Sequence, residues 1–374
     1  MRPLQPKWGL ALTAAGTVGM GLFLMARSTP PAHPPERPVA EWVDQLHDPA
    51  PEQRREAAAA LGRIGPGAVP ALRPLIEAMA DDDLMTRTQA TVAAGRVGLL
   101  GLDRLTEALD APDGRTRRGA ASALGLIGPM AAPAVPGLVH RLSDEDEAVR
   151  FSAGRALERI GPAAVPALLA ELRSGPPLGR AGAAEALGGI TPPPTAAAGP
   201  LSAALDDAEV AVASAAAIAL PNLGPAAVPA LTAALARPRL ETRRLAATSL
   251  SALAAVAAPA AGALTAALAD PDPALRRTAA EALGRIGPAA RRAVTPLLGA
   301  LRDADPTVRL AAADALGQLG RDARDAIPTL MDLQADGAPP VRRAATQALV
   351  RIVLAGRPAD GRRAGDSPTL PANG

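Results

Sequence analysis

The sequence predicts an all-α solenoid, and three observations carry that prediction. Apolar residues recur at helical spacing, one pattern returns ten times between residues 38 and 355, and Gly-Pro pairs punctuate it at a fixed offset. Composition agrees. The 374 residues include no Tyr, two Phe and two Trp, so a compact core built around large rings is unavailable. Ala and Leu, both strong helix formers, dominate instead. The 35 Gly and 40 Pro would indicate disorder if they followed no period. Here they mark boundaries.

The first 27 residues open with Arg2 and Lys7 and continue as an uncharged run from Trp8 to Ala26. Basic residues before an apolar stretch form an export signal, and their cytoplasmic preference places everything downstream across the membrane. The run is long enough to span a bilayer, which favours an uncleaved anchor through residues 8–26. A cleaved signal peptide, releasing a secreted or periplasmic chain, is the alternative; the best small-residue site, Leu24-Met25-Ala26, has a bulky Leu where Ala is preferred. A Pro-rich linker follows over residues 28–37, with the polyproline bias of Pro30-Pro31 and Pro34-Pro35. Residues 356–374 form a tail without the periodic pattern.

Between these ends the repeat is indexed on the residue closing each second helix: 65, 98, 128, 161, 191, 224, 254, 287, 320 and 353. Eight positions earlier every repeat has Ala, from Ala57 to Ala345. Five earlier nine have Ala and the other Ser249, and four earlier nine have Leu and the other Ala94. Offsets of three, four and seven make one helix face. Its small residues permit close helix approach while Leu and Ile fill the gap. One repeat buries too few such side chains, at about 1.5–3 kcal/mol each, to offset its backbone entropy, so stability must come from stacking. Gly65-Pro66, Gly128-Pro129, Gly161-Pro162, Gly224-Pro225 and Gly287-Pro288 end second helices with a residue tolerant of left-handed backbone and then a breaker. Acidic turns such as Asp270-Pro271-Asp272 and Asp303-Ala304-Asp305 separate first from second helices.

The run from Asp303 through Thr307-Val308-Arg309-Leu310-Ala311-Ala312-Ala313-Asp314-Ala315-Leu316 to Gly317 resembles the HEAT repeat, in particular the short bacterial variety known from phycobilisome bilin lyases. The resemblance covers residues 38–355. It implies a right-handed, armadillo-like α-solenoid of about ten hairpins whose second helices line the concave side. It is nearly silent on function, because such repeats serve scaffolds, adaptors, DNA-repair proteins and a few enzymes.

Charge narrows the classes. The chain has 39 basic and 37 acidic residues and a formal net charge of +2, so the pI of about 10.1 reflects Arg in place of Lys and the lack of Tyr and Cys. No concentrated positive field is available for phosphate backbones, and nucleic acid is not an expected partner. Without Cys there is no thiolate chemistry. His33, His47 and His140 are isolated, and no His precedes a Glu as in the HEAT-repeat hydroxylases that carry a di-iron centre. No catalytic, cofactor or metal constellation stands out.

Two Arg patterns remain. Eleven positions before the closing residue nine of ten repeats have Arg: Arg54, Arg87, Arg117, Arg150, Arg180, Arg243, Arg276, Arg309 and Arg342. This column opens the second helix after the acidic turn and reads as structural, bridging to an Asp of its own or the adjacent repeat. The second pattern faces away from the Ala/Leu stripe: Arg55, Arg118, Arg244, Arg277 and Arg343 at ten before, Arg63, Arg96, Arg159, Arg285 and Arg351 at two before. These ten are the candidate partner-binding residues, a ridge for a protein or acidic peptide, interrupted by Glu185, Glu281 and Asp314. A solvated helix face is the alternative. The sixth repeat has no charge from Val210 to Leu220, so Val212 and Ile218 make a candidate hinge or apolar patch, with a drifted and tolerated repeat as the simpler reading. The sequence therefore predicts a non-enzymatic interaction scaffold, extracytoplasmic and membrane-tethered; a bilin-lyase-like enzyme or enzyme subunit is the alternative.

Overall fold

The computed structural model describes residues 37–356. The anchor expected at 8–26, all of the linker but Arg37, and the tail beyond Gly356 lie outside the described residues. Within them every regular element is helical.

Each repeat is a short first helix followed by a longer second helix. In repeat 8 these are Ala261–Ala267 and Pro273–Ile286, and in repeat 9 they are Val294–Ala300 and Pro306–Leu319. Asp begins the second helix because its carboxylate caps orphan backbone N–H groups: Asp83 accepts from Thr86 N at 2.7 Å, Asp272 from Leu275 N at 2.8 Å and Asp305 from Thr307 N at 2.7 Å. Pro273 and Pro306 follow the capping Asp and Pro339 follows Ala338, all at the first helical position, where a missing N–H costs nothing. The second helix then closes on left-handed backbone, as at Gly287 (φ 72°) and Gly320 (φ 62°), and a 3₁₀ segment leads into the next repeat. Repeat 7 closes on Ala254 at φ 50°, among the described residues the one positive-φ residue that is not Gly.

Three continuous helical runs, Gly114–Ser143, Val210–Ala234 and Leu240–Ala267, are long and apolar enough by length and composition to cross a membrane. Gly128, Gly224 and Ala254 break them with positive φ. Each run is thus a second helix turning into the next first helix, and its apolar character is the stacking face of two successive repeats.

The chain forms two compact units, one ending at Ala230 and one beginning at Leu231. Within each, every second helix packs on the second helix of the next repeat. The expected core is the observed one: the ten Ala from Ala57 to Ala345 have no exposed surface. Neither do the first-helix leucines Leu75, Leu105, Leu138, Leu168, Leu201, Leu231, Leu264, Leu297 and Leu330. A further column emerges from the packing. Three positions before the closing residue stands Gly in six repeats, and there the next helix comes closest. A methyl group placed on Gly284 would lie 2.9 Å from Ala315 Cα, and one on Gly317 would lie 2.9 Å from Ala348 Cα. In repeat 10 this position is Val350, which is 53% exposed.

Candidate partner-binding surface

The Arg column opening each second helix is spent on holding repeats together. Arg309 shows the geometry: its Nη1 donates to its own turn, to Asp303 O at 2.9 Å and Ala304 O at 3.1 Å. Its other edge forks onto Asp336 in the next repeat, with Nε–Oδ2 of 2.8 Å and Nη2–Oδ1 of 2.9 Å. Asp336 is itself aimed by Ala338 N, which donates to Oδ1 at 2.8 Å. The Arg309 fork and that backbone bond hold the Asp336 carboxyl below the usual range. Five more rungs share this fork: Arg54–Asp81, Arg117–Asp144, Arg180–Asp207, Arg243–Asp270 and Arg276–Asp303. The column is structural, as expected, and its acid comes from the adjacent repeat.

Three interior rungs are missing: the step after repeat 6 has Ala213 in place of the column Arg, and two others have the Arg without its acid. Six positions before the next column residue stands Ala111 after Arg87 and Ser174 after Arg150, where the six rungs have Asp. Arg87 keeps its bonds to Asp81 O and Asp82 O, but its buried Nε has no acceptor. Burial first, and then Arg115 and Arg118, push its pKa down.

The ridge divides into engaged and open members. Arg55 forks onto Asp83, both bonds 2.7 Å, and Arg244 forks onto Asp272 at 2.9 and 2.6 Å. The Arg55 fork holds the Asp83 carboxyl far below its ordinary range. Arg277 pairs with Glu281 at 3.3 Å. Arg96, Arg118 and Arg159 are half-buried, and burial lowers the Arg159 pKa. Arg63, Arg285, Arg343 and Arg351 are exposed and form no ion pair among the described residues. No sequence signal separates the engaged pair: Arg-Arg followed by Asp-x-Asp is found at Arg54-Arg55 with Asp81 and Asp83, but equally at Arg276-Arg277 with Asp303 and Asp305, where Arg277 pairs with Glu281.

Acids sit on the same face. Glu158 replaces Gly in the close-approach column, pairs with Arg155 and folds over Gly189, where a methyl group would lie 2.3 Å from its carboxyl carbon. Burial pushes the Glu158 carboxyl up, Glu185 adding to the effect while Arg155 and Arg159 oppose it. In repeat 6, Ile218 and Val210 are 72% and 73% exposed, whereas Val212 is fully buried and drops out of the apolar patch. Trp42 is buried in the first repeat with Arg37 stacked 5.1 Å from its ring centre. His47 Nδ1 lies 3.0 Å from Val43 O.

Comparison with known families joins this geometry to a name. The family model for HEAT repeats matches residues 102–188 and 261–350, and that for the PBS lyase HEAT-like repeat matches residues 53–81. The chain is a HEAT-repeat protein. Comparison with curated proteins finds no match. Among solved structures it is similar to Kap121p bound to Nup53p, at 14% identity, TM-score 0.57, 84% of this chain and 41% of that one. It is also similar to Kap121p bound to Ste12p (14%, 0.58, 84% and 41%) and to importin beta in an ammonium sulfate condition (15%, 0.52, 95% and 55%). The chain thus spans two fifths to just over half of these karyopherins. Likeness at this identity establishes the HEAT architecture alone.

In HEAT terms, the second-helix face of this chain has few open cations. Its paired Arg residues fix the stack, and Arg63, Arg285, Arg343 and Arg351 are left exposed toward solvent.

Proposed function

We propose that this HEAT-repeat protein is a non-enzymatic interaction scaffold, exported and tethered to the membrane through residues 8–26, that receives an acidic protein or peptide on its second-helix face. One observation carries the binding surface: Arg63 in the first unit and Arg285, Arg343 and Arg351 in the second stay exposed with no ion pair among the described residues, whereas Arg54 and Arg276, on the helices of Arg63 and Arg285, are committed to Asp of the next repeat. A guanidinium free of an internal acid is the donor a partner carboxylate can fork onto. The karyopherin structures, in which a related architecture holds a protein, support a protein partner. The basic N-terminal flank and the apolar run after it support the location.

Two experiments test this reading. Affinity capture from membranes, with bound proteins identified by mass spectrometry, should lose its main partner and its salt sensitivity when Arg63, Arg285 and Arg351 become Gln, with the melting temperature unchanged. Intact capture by that variant would reduce the ridge to a solvated face and transfer attention to Ile218. A reporter active only in the cytoplasm, fused after Gly374, should be silent; strong activity would reverse the proposed topology.

A further inference from the structure

The last described repeat presents an apolar surface on its second helix. Its second helix, Pro339–Ala355, exposes Val350, Val353 and Leu354 at 53%, 55% and 55%, an i, i+3, i+4 triplet on one face. Terminal repeats of solenoids ordinarily present a polar outer side. The first repeat does so: no large apolar residue of 37–65 is exposed.

The same end carries an unfilled rung. Arg342 donates to its own turn, to Asp336 O at 2.7 Å and Gly337 O at 3.3 Å, as the six paired column residues do to theirs. Its remaining edge meets no carboxylate among the described residues and opens on a depression lined by Gln334, Pro339, Arg343, Thr346 and Gln347. The helix adds Arg343 and Arg351 and contains no acid at all.

We propose that this terminal face docks an acidic amphipathic helix of another protein, one carboxylate entering the Arg342 fork and an apolar stripe covering Val350, Val353 and Leu354. The inference rests on the protein-binding reading of the chain and deepens it at the last repeat, where Arg343 and Arg351 of the ridge adjoin an apolar stripe. Charge decides against a two-fold pairing of this helix with its own copy, which would set three guanidiniums against three. The close-approach column decides against one more repeat, or the first repeat of a second copy, seated at the internal spacing. At Gly317 even a methyl group would lie 2.9 Å from Ala348 Cα, so Val350 bars that tight approach one step later; where Glu158 fills the column, Gly189 of the next repeat makes room for it. A helix at ordinary packing distance, about 8–10 Å between axes, meets no such obstacle and matches the triplet's spacing.

The probe is a fluorescein-labelled synthetic helix with Leu at i, i+3, i+4 and i+7 and Asp or Glu on its polar face, titrated into the full chain. A control peptide keeps the Leu stripe and has Lys in place of the acids. The acidic peptide should bind and the Lys peptide should not. Val353→Ser with Leu354→Ser should weaken binding tenfold or more, and Arg342→Gln should weaken it at least fivefold while flattening its salt dependence. The titrations are run in the Arg63→Gln, Arg285→Gln background, which removes the ridge's own affinity for acids, so that failure of this face is read separately from failure of the ridge. Equal binding of both peptides, or affinity indifferent to the Ser and Gln variants, would overturn the proposal. So would a concentration-dependent dimer, seen by sedimentation and lost in the Val353→Ser, Leu354→Ser variant, which would assign the face to a second copy.

Discussion

Arg117 and Asp144 meet through two parallel hydrogen bonds, Nε–Oδ2 at 2.9 Å and Nη2–Oδ1 at 2.8 Å, across the step from repeat 3 to repeat 4. Their side chains are 8% and 2% exposed, the most buried of the six rungs. A forked pair removed from water is indifferent to salt, but it leaves a costly orphan when one partner is lost. Asp144→Asn should therefore destabilise the first unit by about 3–5 kcal/mol. Arg87→Gln, at a rung with no carboxylate, should change stability by about 1 kcal/mol or less. Urea titrations of both variants check the contrast; equal losses would mean that the carboxylate half of the fork contributes nothing.

Ala254 stands where seven other repeats have Gly at positive φ. A Cβ in the left-handed region costs about 1–2 kcal/mol, while Gly adds about 0.5–1 kcal/mol of unfolded-state freedom. Ala254→Gly should thus stabilise the second unit slightly, by up to about 1 kcal/mol, visible as a higher denaturation midpoint. A fall in the midpoint would show that the neighbouring helices have relaxed the strain.

The Gly column predicts an asymmetry. Gly317→Val drives a branched side chain into Ala348 backbone and should cost about 1–3 kcal/mol. Val350→Gly, at the same register one repeat later, should cost no more than about 1 kcal/mol, the difference in helix propensity. Differential calorimetry of the two variants measures it.

Much of this was legible in the sequence. The Ala and Leu columns sit at helical offsets that survive any choice of neighbour, so the stacking face could be read without coordinates. The Arg column was readable as structural for the same reason. Whether Arg276 would take an acid from its own turn or from the next was not, because Asp272 and Asp303 are both acidic turn residues and only the superposition of successive repeats brings Asp303 within 2.7 Å. The division of the ridge escaped for a related reason: Arg55 and Arg277 are alike in sequence. Yet Asp83 accepts the Arg55 fork in addition to Thr86, while Asp305 accepts from Thr307 and Arg277 pairs with Glu281.

Acid and base limits follow from two sets of carboxylates. Asp303 and Asp336 are held below the ordinary range by Arg276 and Arg309, so their contribution is present above the unfolded value near 4 and is lost as pH falls through the lower folded value. Glu158 is raised by burial, so its contribution is present below the unfolded value and is lost as pH rises through the folded one. Thermal stability should accordingly be greatest in mildly acidic solution. Glu158→Gln should raise the melting temperature at pH 8 and leave it nearly unchanged at pH 4; an unchanged slope between those values would remove Glu158 from the account.

The rungs also impose a parity on the array. Through the first seven repeats the steps alternate between 33 and 30 residues, and the longer step is the one that supplies an Asp to the preceding Arg. Excising repeats 2 and 3 together would place Arg54 before the turn of Asp144, preserving a fork, whereas excising repeat 2 alone would set Arg54 against Ala111. Shortening or lengthening of this region should therefore be tolerated in pairs of repeats, a two-hairpin module of 63 residues, the sum of one 33-residue and one 30-residue step.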